Sequence, residues 1–418
     1  MKIHLGEFEA ERSWENKEFA KLPIISDSSS NLIVDSMDEM LFGFSDKGDI
    51  LVTKHLFNQS FKQYLYELGF DFKSYTSDSF FDQINVVNDE FTIEPYAITN
   101  YIQRIFEKYP DKLPRIDNVR NVNSKKFSTI LSNKMMCNNS SSYIVESFSE
   151  LQDAFELLSS RQIIIKEYFG VAGKGSLILK SDKSKNSIVK HIKRQADFGK
   201  RIGFVIEPYL KVQKNFSAHL YIDKMGKQKN ITKRLMLNKH NSYNGSCRLE
   251  ESREDFFLGN NYDNIISCIA HEVFQKGYWG NLCIDSLLQS NGDINPLVEI
   301  NARKSMGLLQ YTLEEQLGLC ESGLYSILTS LELRLNNDMG FEDVLQILMD
   351  NNLLYSGKNH GIMPLSANTI IRSANNKKAK FRRGRLYFLA IADKEISICR
   401  LILCLRSSIE RAGITIHG

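Results

Sequence analysis

Leu282-Cys283-Ile284-Asp285-Ser286-Leu287-Leu288, a turn at Asn291-Gly292, and Ile294-Asn295-Pro296-Leu297-Val298-Glu299-Ile300-Asn301-Ala302-Arg303 form the stretch on which the reading of this chain turns. Two apolar runs joined by Asn-Gly read as a β-hairpin, because the tightest hairpin turns need φ > 0, which Asn and Gly tolerate. Side chains alternate across a strand, so Glu299, Asn301 and Arg303 share one face while Val298, Ile300 and Ala302 share the other. Carboxylate and amide oxygens are hard ligands suited to Mg²⁺, which keeps several waters and is completed by substrate phosphates. Arg303 beside them suits two-point capture of a phosphate or a carboxylate. A half-buried strand with a solvated polar face also produces E-x-N-x-R, so the pattern needs support from the rest of the chain. Geometry sets a further condition. A two-residue turn pairs Ser290 with Asp293 and puts Asp285 opposite Val298, on the wrong face to share a metal with Glu299. One bulged residue corrects this, and Pro296, which cannot donate to a ladder, is the expected place for it.

Upstream, Ile163-Ile164-Ile165-Lys166 is a β-branched run ending in Lys, followed by Gly170-Val171-Ala172-Gly173-Lys174-Gly175 and a second strand-like run, Ser176-Leu177-Ile178-Leu179. Glycines let backbone N–H groups approach phosphate oxygens without a Cβ in the way, and the lysines add positive charge. The loop does not fit G-x-x-x-x-G-K-[ST], and a strand rather than a helix follows it, so a P-loop fold is not indicated. A glycine-rich hairpin can be purely structural; Lys166 immediately before it favours phosphate binding. Three glycines in six residues predict a loop that orders when nucleotide binds. Ile265 to Lys276 reads as an amphipathic helix with Gly277 as its cap. His219 sits in an alternating strand, Phe216 to Ile222, where it could face the cleft, but a packed or solvated strand histidine is the plainer reading.

With 418 residues, the chain exceeds one ordinary domain. Apolar residues at 42% and charged residues at 25% match soluble globular proteins. Lys+Arg exceeds Asp+Glu by three, 53 against 50, so the overall charge supports neither a nucleic-acid nor a membrane-surface partner. Met1 to Leu22 has no apolar leader core and no apolar run is long enough to span a bilayer, which points to the cytoplasm. Seven scattered cysteines include no C-x-x-C, and His271-Glu272 lacks the second His of a zincin helix, so no zinc site is expected.

The first 120 residues alternate short apolar runs (Leu32 to Val34, Ile50 to Val52) with helix-like stretches (Phe61 to Leu68, Ile98 to Tyr109). Pro110, Pro114 and the polar run Asn118 to Lys126 are expected as a linker. Leu313 to Leu335 reads as a helical stretch, followed by a helix from Phe341 to Asn351, a strand from Leu386 to Ile391 and a last helix from Ser397 to Arg411. A basic stretch, Lys377, Lys378, Lys380, Arg382, Arg383 and Arg385, is read as a solvated hairpin. There is no internal repeat.

With the lysine strand and its glycine loop, the Glu207-Pro208-Tyr209-Leu210 segment, and Asp285 followed by Glu299-Ile300-Asn301-Ala302-Arg303 in this order, the chain resembles the ATP-grasp superfamily over roughly residues 120 to 335. The string from Glu299 to Gly307 is similar to that of pheganomycin-type peptide ligases. The resemblance implies an α/β (α+β) fold: an N-terminal α/β pre-ATP-grasp domain (1–120), a small subdomain with the glycine loop (121–206), a large subdomain with the metal site (207–338) and a C-terminal α+β domain (339–418). It implies that Lys125 and Lys166 contact ATP, that Gly170, Gly173, Lys174 and Gly175 cover its phosphates, and that Glu207, Tyr209 and Leu210 lie at the adenine hinge. Asp285, Glu299 and Asn301 would hold Mg²⁺, Arg303 would stabilise the transferring phosphoryl group, and Arg234 would be a second phosphate contact. The superfamily often has an acidic residue just past the hinge for the ribose hydroxyls, and here Lys214 and Asn215 stand in its place. The implied reaction is ATP-dependent ligation of a small-molecule or peptide carboxylate to an amine through an acyl phosphate, in peptide biosynthesis. A kinase-like phosphotransferase or a nucleotide-binding regulatory pseudo-enzyme are the alternatives, and a homodimer is left open.

Overall fold

The computed structural model describes residues 1–23, 28–81, 91–137, 142–159, 161–170, 175–239, 242–249, 261–336, 338–371 and 382–417. Lys2–Leu5 (β1), Ile50–Thr53 (β2), Lys73–Thr76 (β3) and Thr92–Pro95 (β4) pair in parallel in the order β3-β2-β1-β4. Parallel neighbours need a crossover, and Gln59–Glu67 (α1) supplies the one between β2 and β3; Asn58 caps it by accepting from the Phe61 N–H. Ile50–Val52 lies in β2, whereas Leu32–Val34 lies in a helix, Ser28–Asp35.

The stretch expected as a linker is instead helical: Ile116–Val122 (α2) and Lys125–Lys134 (α3). Val119 and Val122, one turn apart, are fully buried, and Ser124 caps α3 by accepting from the Phe127 N–H. Burial of that apolar face overrides the loop-like composition.

A second, smaller unit follows: Tyr143–Val145 (β5), Phe148–Leu157 (α4), Ile163–Glu167 (β6), Ser176–Leu179 (β7), Asp182–Asp197 (α5) and Phe204–Pro208 (β8). Its strands form an antiparallel sheet in the order β5-β8-β6-β7. Alternation sends Ile163 and Ile165 into a core shared with Leu151, Phe155, Ile188 and Ile192 of the two helices. Ala20 and Leu22, from the N-terminal segment, belong to this core as well.

The third sheet has nine strands. Val212–Ile222 (β9), Gln228–Lys239 (β10) and Ser242–Arg248 (β11) precede the helix Tyr262–Gln275 (α6). Gly280–Gln289 (β12), Ile294–Asn301 (β13), the helix Met306–Gln316 (α7) and Tyr325–Leu335 (β14) come next. The helix Phe341–Asp350 (α8), Gly361–Pro364 (β15), Arg382–Ala392 (β16), the helix Glu395–Arg411 (α9) and Thr415–His417 (β17) complete the chain. The order is β13-β12-β9-β10-β11-β14-β16-β15, with β17 also on β14. Strands on both sides of residue 338 therefore share one sheet. The expected helix at Leu313–Leu335 is corrected: α7 ends at Gln316 and residues 325–335 form β14. The helices expected near 265–276, 341–351 and 397–411 are present as α6, α8 and α9, and 386–391 lies in β16. One continuous core joins the N-terminal sheet, the nine-stranded sheet and α8 and α9. Among the described residues, no helix is long and apolar enough to cross a membrane.

Candidate active site

The β12/β13 hairpin places Asp285 directly opposite Glu299, and Cys283 opposite Asn301. The net one-residue adjustment required by the sequence is present, but it is reached differently. Gln289 pairs with Asp293 across a three-residue turn, which shifts the register one way, and a two-residue irregularity between Asp285 and Leu287 shifts it back further. Pro296 lies inside that irregularity. Its carbonyl accepts from the Ser286 hydroxyl at 2.8 Å, and Asn295 Oδ1 accepts from the Leu297 N–H at 3.3 Å, so side chains satisfy the backbone groups that leave the ladder. Asn301 Nδ2 donates to Asp285 Oδ2 at 3.0 Å. Burial, with Glu299 opposite, pushes the Asp285 carboxyl up to about 7.

One lysine meets this face from another element, and a second reaches Glu207 of β8. Lys125 opens α3, and its Nζ donates to Glu299 Oε1 at 2.6 Å and to the Gly170 carbonyl at 3.0 Å. Lys166 is the last residue but one of β6, whose pairing with β8 sets Ile164 opposite Glu207, so its Nζ reaches Glu207 Oε2 at 2.8 Å. Glu207 thus faces the lysine, while the Tyr209 N–H donates to the Gln162 carbonyl and Leu210 leads into β9. Gly175 takes φ +74, and its carbonyl accepts from the Glu167 N–H at 2.7 Å. Gly173 and Lys174 lie outside the described residues.

Arg303 follows β13, and its side chain is about nine-tenths enclosed. Its Nε and Nη2 donate to Glu11 Oε1 at 2.9 and 2.6 Å, Nη2 donates to Asn301 Oδ1 at 3.1 Å, and Nη1 donates to the Lys304 carbonyl and, at 3.5 Å, to the Tyr96 hydroxyl. These bonds use all five N–H groups of the guanidinium. Arg234 shares the sheet face with Asp285, since both oppose Ser217 of β9. Its side chain is nevertheless buried in an ion pair with Glu314 of α7, at 2.7 Å. His219 is packed between the Ser217 and Ser305 hydroxyls, and burial lowers its imidazole to about 3, so it is a neutral core residue as expected. Beyond Arg303, a cavity of about 540 Å³ is walled by Tyr96, Tyr221 and Trp279 and by Lys112, Lys224 and Lys304. Of the basic stretch, Lys377, Lys378 and Lys380 lie outside the described residues; Arg382, Arg383 and Arg385 are in β16, where Arg385 pairs with Glu332.

No family model matches the chain. The [butirosin acyl-carrier protein]–L-glutamate ligase of Niallia circulans is 23% identical over 334 residues, covering 77% of this chain and 76% of that protein. Among solved structures, phosphoribosylamine–glycine ligase from Thermotoga maritima is similar with a TM-score of 0.57 at 13% identity, covering 100% of this chain and 98% of that one. An ADP complex of N5-carboxyaminoimidazole ribonucleotide synthetase gives 0.56 at 12% identity, covering 98% and 97%. The biotin carboxylase domain dimer of the Hydrogenobacter thermophilus 2-oxoglutarate carboxylase, with MgADP, ADP and bicarbonate, gives 0.54 at 12%, covering 100% and 90%. The chain has the ATP-grasp fold.

Within the ATP-grasp fold the donor set can be tested against Mg²⁺. Among the described residues no group of three or more His, Cys, Asp or Glu gathers as a metal site. Two carboxylates and an amide do gather, at Asp285, Glu299 and Asn301, and Mg²⁺ commonly takes one or two carboxylates with the rest from phosphate and water. Two carboxylates facing each other with one carboxyl raised is a donor set that a divalent cation would relieve, so the residues fit. Glu11 is the site neighbour that sequence reasoning misses. It contacts Arg303 across a separation of 292 residues, and nothing in its local pattern marks it.

Proposed function

We propose that the protein is an ATP-dependent carboxylate–amine ligase that forms an amide, or peptide, bond through an acyl phosphate. One observation carries the reading: Glu299 faces Asp285 across the hairpin, touches Lys125, and stands four residues from Arg303 on the strand-face pattern that continues through Asn301. Phosphate-binding cations and metal-binding oxygens thus meet in one place. The named activities of the Niallia ligase and the Thermotoga ligase, each joining an amino acid to a second substrate, support a C–N bond-forming reaction.

In this reading Lys125, Lys166 and the loop Gly170 to Gly175, with Gly173 and Lys174, hold the ATP phosphates, and the hinge at Glu207, Tyr209 and Leu210 holds adenine. A carboxylate oxygen attacks the γ-phosphorus; the new O–P bond forms as the bond to ADP breaks. Arg303 faces the charge that develops on the phosphoryl oxygens, with Arg234 behind it on the same sheet face. Mg²⁺ at Asp285, Glu299 and Asn301 would neutralise phosphate charge. An amine then attacks the acyl carbon, the C–N bond forms, inorganic phosphate leaves and the nitrogen gives up a proton. The cavity beside Arg303 is of a size to hold an amino acid or short peptide, and its rings and cations suit an aromatic or carboxylate-bearing molecule. We read residues 1–120, 121–206, 207–338 and 339–418 as the four working parts, in a cytoplasmic setting where ATP is supplied and seven free cysteines stay reduced.

ATP consumption should be screened over amino acids and short peptides offered in pairs, with mass detection of the product. An amide product together with ADP and phosphate is expected, and Glu299→Gln should lower its rate by at least about 100-fold while the protein stays folded. A phosphorylated product formed without any amine would replace the ligase by a phosphotransferase.

A further inference from the structure

The cations expected to hold phosphate are engaged, in this structure, by the same oxygens expected to hold a metal. Glu299 Oε1 accepts from Lys125 at 2.6 Å, and Asn301 Oδ1 accepts from Arg303 Nη2 at 3.1 Å. Arg303 has only donors, so the amide oxygen must face it; the amide nitrogen then faces Asp285, as observed at 3.0 Å. In this orientation Asn301 offers Asp285 an N–H and not an oxygen. A half-turn of the amide delivers the oxygen to the carboxylate pair and presents N–H to Arg303, which cannot accept it. Arg303 Nη2 must then find another acceptor.

We propose that Lys125–Glu299 and Arg303–Asn301 are exchange pairs that link metal binding to phosphate binding in the ligase reading above, on which this inference rests. A cation arriving at Asp285 takes Glu299 from Lys125 and the amide oxygen from Arg303, and both released positive groups turn to phosphate oxygens. Each exchange replaces one oxyanion or carbonyl partner by another, so no buried charge is left unpaired at either end, which would otherwise cost several kcal/mol. By linkage the effect is reciprocal: phosphate that draws Lys125 away frees Glu299 for the metal. Glu11, which holds Arg303 through Nε and Nη2, keeps the guanidinium in place during the exchange.

The exchange predicts a reversal of sign that a structural role for Lys125 does not. Binding of Mn²⁺ alone to the full chain, followed by electron paramagnetic resonance, should tighten about tenfold in Lys125→Met, because Glu299 no longer has a resident partner. Binding of a non-hydrolysable Mn·ATP analogue should weaken at least about tenfold in the same variant. As a second arm, ATP binding in EDTA, measured by calorimetry, should tighten about tenfold in Glu299→Gln, which releases Lys125. Thermal melts confirm that both variants fold. If Lys125→Met weakens Mn²⁺ alone, or Glu299→Gln weakens ATP in EDTA, the exchange is overturned while the ligase reading stands. If the unaltered chain binds neither ATP nor its metal complex, both readings fall.

Discussion

Asp38 is a buried acid with a consequence for stability. Its Oδ2 accepts from the Lys54 N–H, while Oδ1 is buried and lacks a well-formed hydrogen bond among the described residues. Burial pushes its carboxyl up to about 8, against an ordinary value near 4. The folded protein therefore holds a proton there that the unfolded chain releases. That contribution is full below the unfolded value and is lost as pH rises toward 8, so stability should fall between about pH 4 and 8. Asp38→Asn keeps the neutral form at every pH, and urea midpoints at pH 5 and pH 8 should differ less in the variant than in the unaltered chain. An equal pH dependence in both would show that Asp38 is ionised in the fold. At this scale the grouping was legible where neighbours in sequence share a face: period-two alternation put Glu299, Asn301 and Arg303 together, and Asn301 touches Arg303. It was not legible for Glu11, whose partner is 292 residues away, nor for Arg234, whose ion pair with Glu314 depends on how α7 returns across the sheet.

Among elements, the β12/β13 hairpin shows how a site depends on an irregularity. Ser286 holds it from both sides, donating to the Pro296 carbonyl and lying 2.8 Å from the Tyr262 hydroxyl of α6. Ser286→Ala removes that clasp from a fully buried position, and a loss on the order of 1–2 kcal/mol is expected. The sharper effect should be on register: Mn²⁺ affinity should drop more than tenfold, because Glu299 sits opposite Asp285 only through the irregularity. Unchanged metal affinity would mean that Pro296 alone fixes the register. The sequence marked the hairpin and the need for a bulge, since both are local chemistry. It could not divide the adjustment between turn and bulge, because only the sum of the two positions a side chain. The strand β14 was misread for a related reason. Leu324, Ile327, Leu328, Leu331 and Leu335 recur at helical spacing, and what makes the segment a strand is its pairing with β16 along eleven residues. Likewise Asn118 to Lys126 looks like a loop until Val119 and Val122 are seen to be buried.

Across the whole molecule, one side chain, Glu39, gathers several of the hydrogen bonds between the N-terminal and C-terminal regions. Glu39 Oε2 accepts from the Ser366 hydroxyl and the Ala367 and Asn368 N–H groups at 2.7–2.9 Å, and Oε1 accepts from Asn368 Nδ2 at 2.6 Å. Glu39→Ala removes the acceptor of the buried Ala367 and Asn368 N–H groups and should cost on the order of 3 kcal/mol. Limited proteolysis should then report early opening of the large core and not of the smaller one. Simultaneous opening of both would show that the two cores are a single cooperative unit. The smaller core has a further dependence. Ala20 and Leu22 complete it, the Leu22 N–H donates to Glu167 at 2.6 Å, and the Ala20 N–H donates to the Arg201 carbonyl. Residues 163–206 are made long after these. At roughly 5–20 residues per second, the ribosome releases residue 22 on the order of 10–40 s before the last strand of that sheet exists. During translation Ala20 and Leu22 must therefore wait without their core partners, and the smaller unit cannot complete its core until these earlier-made residues return to it.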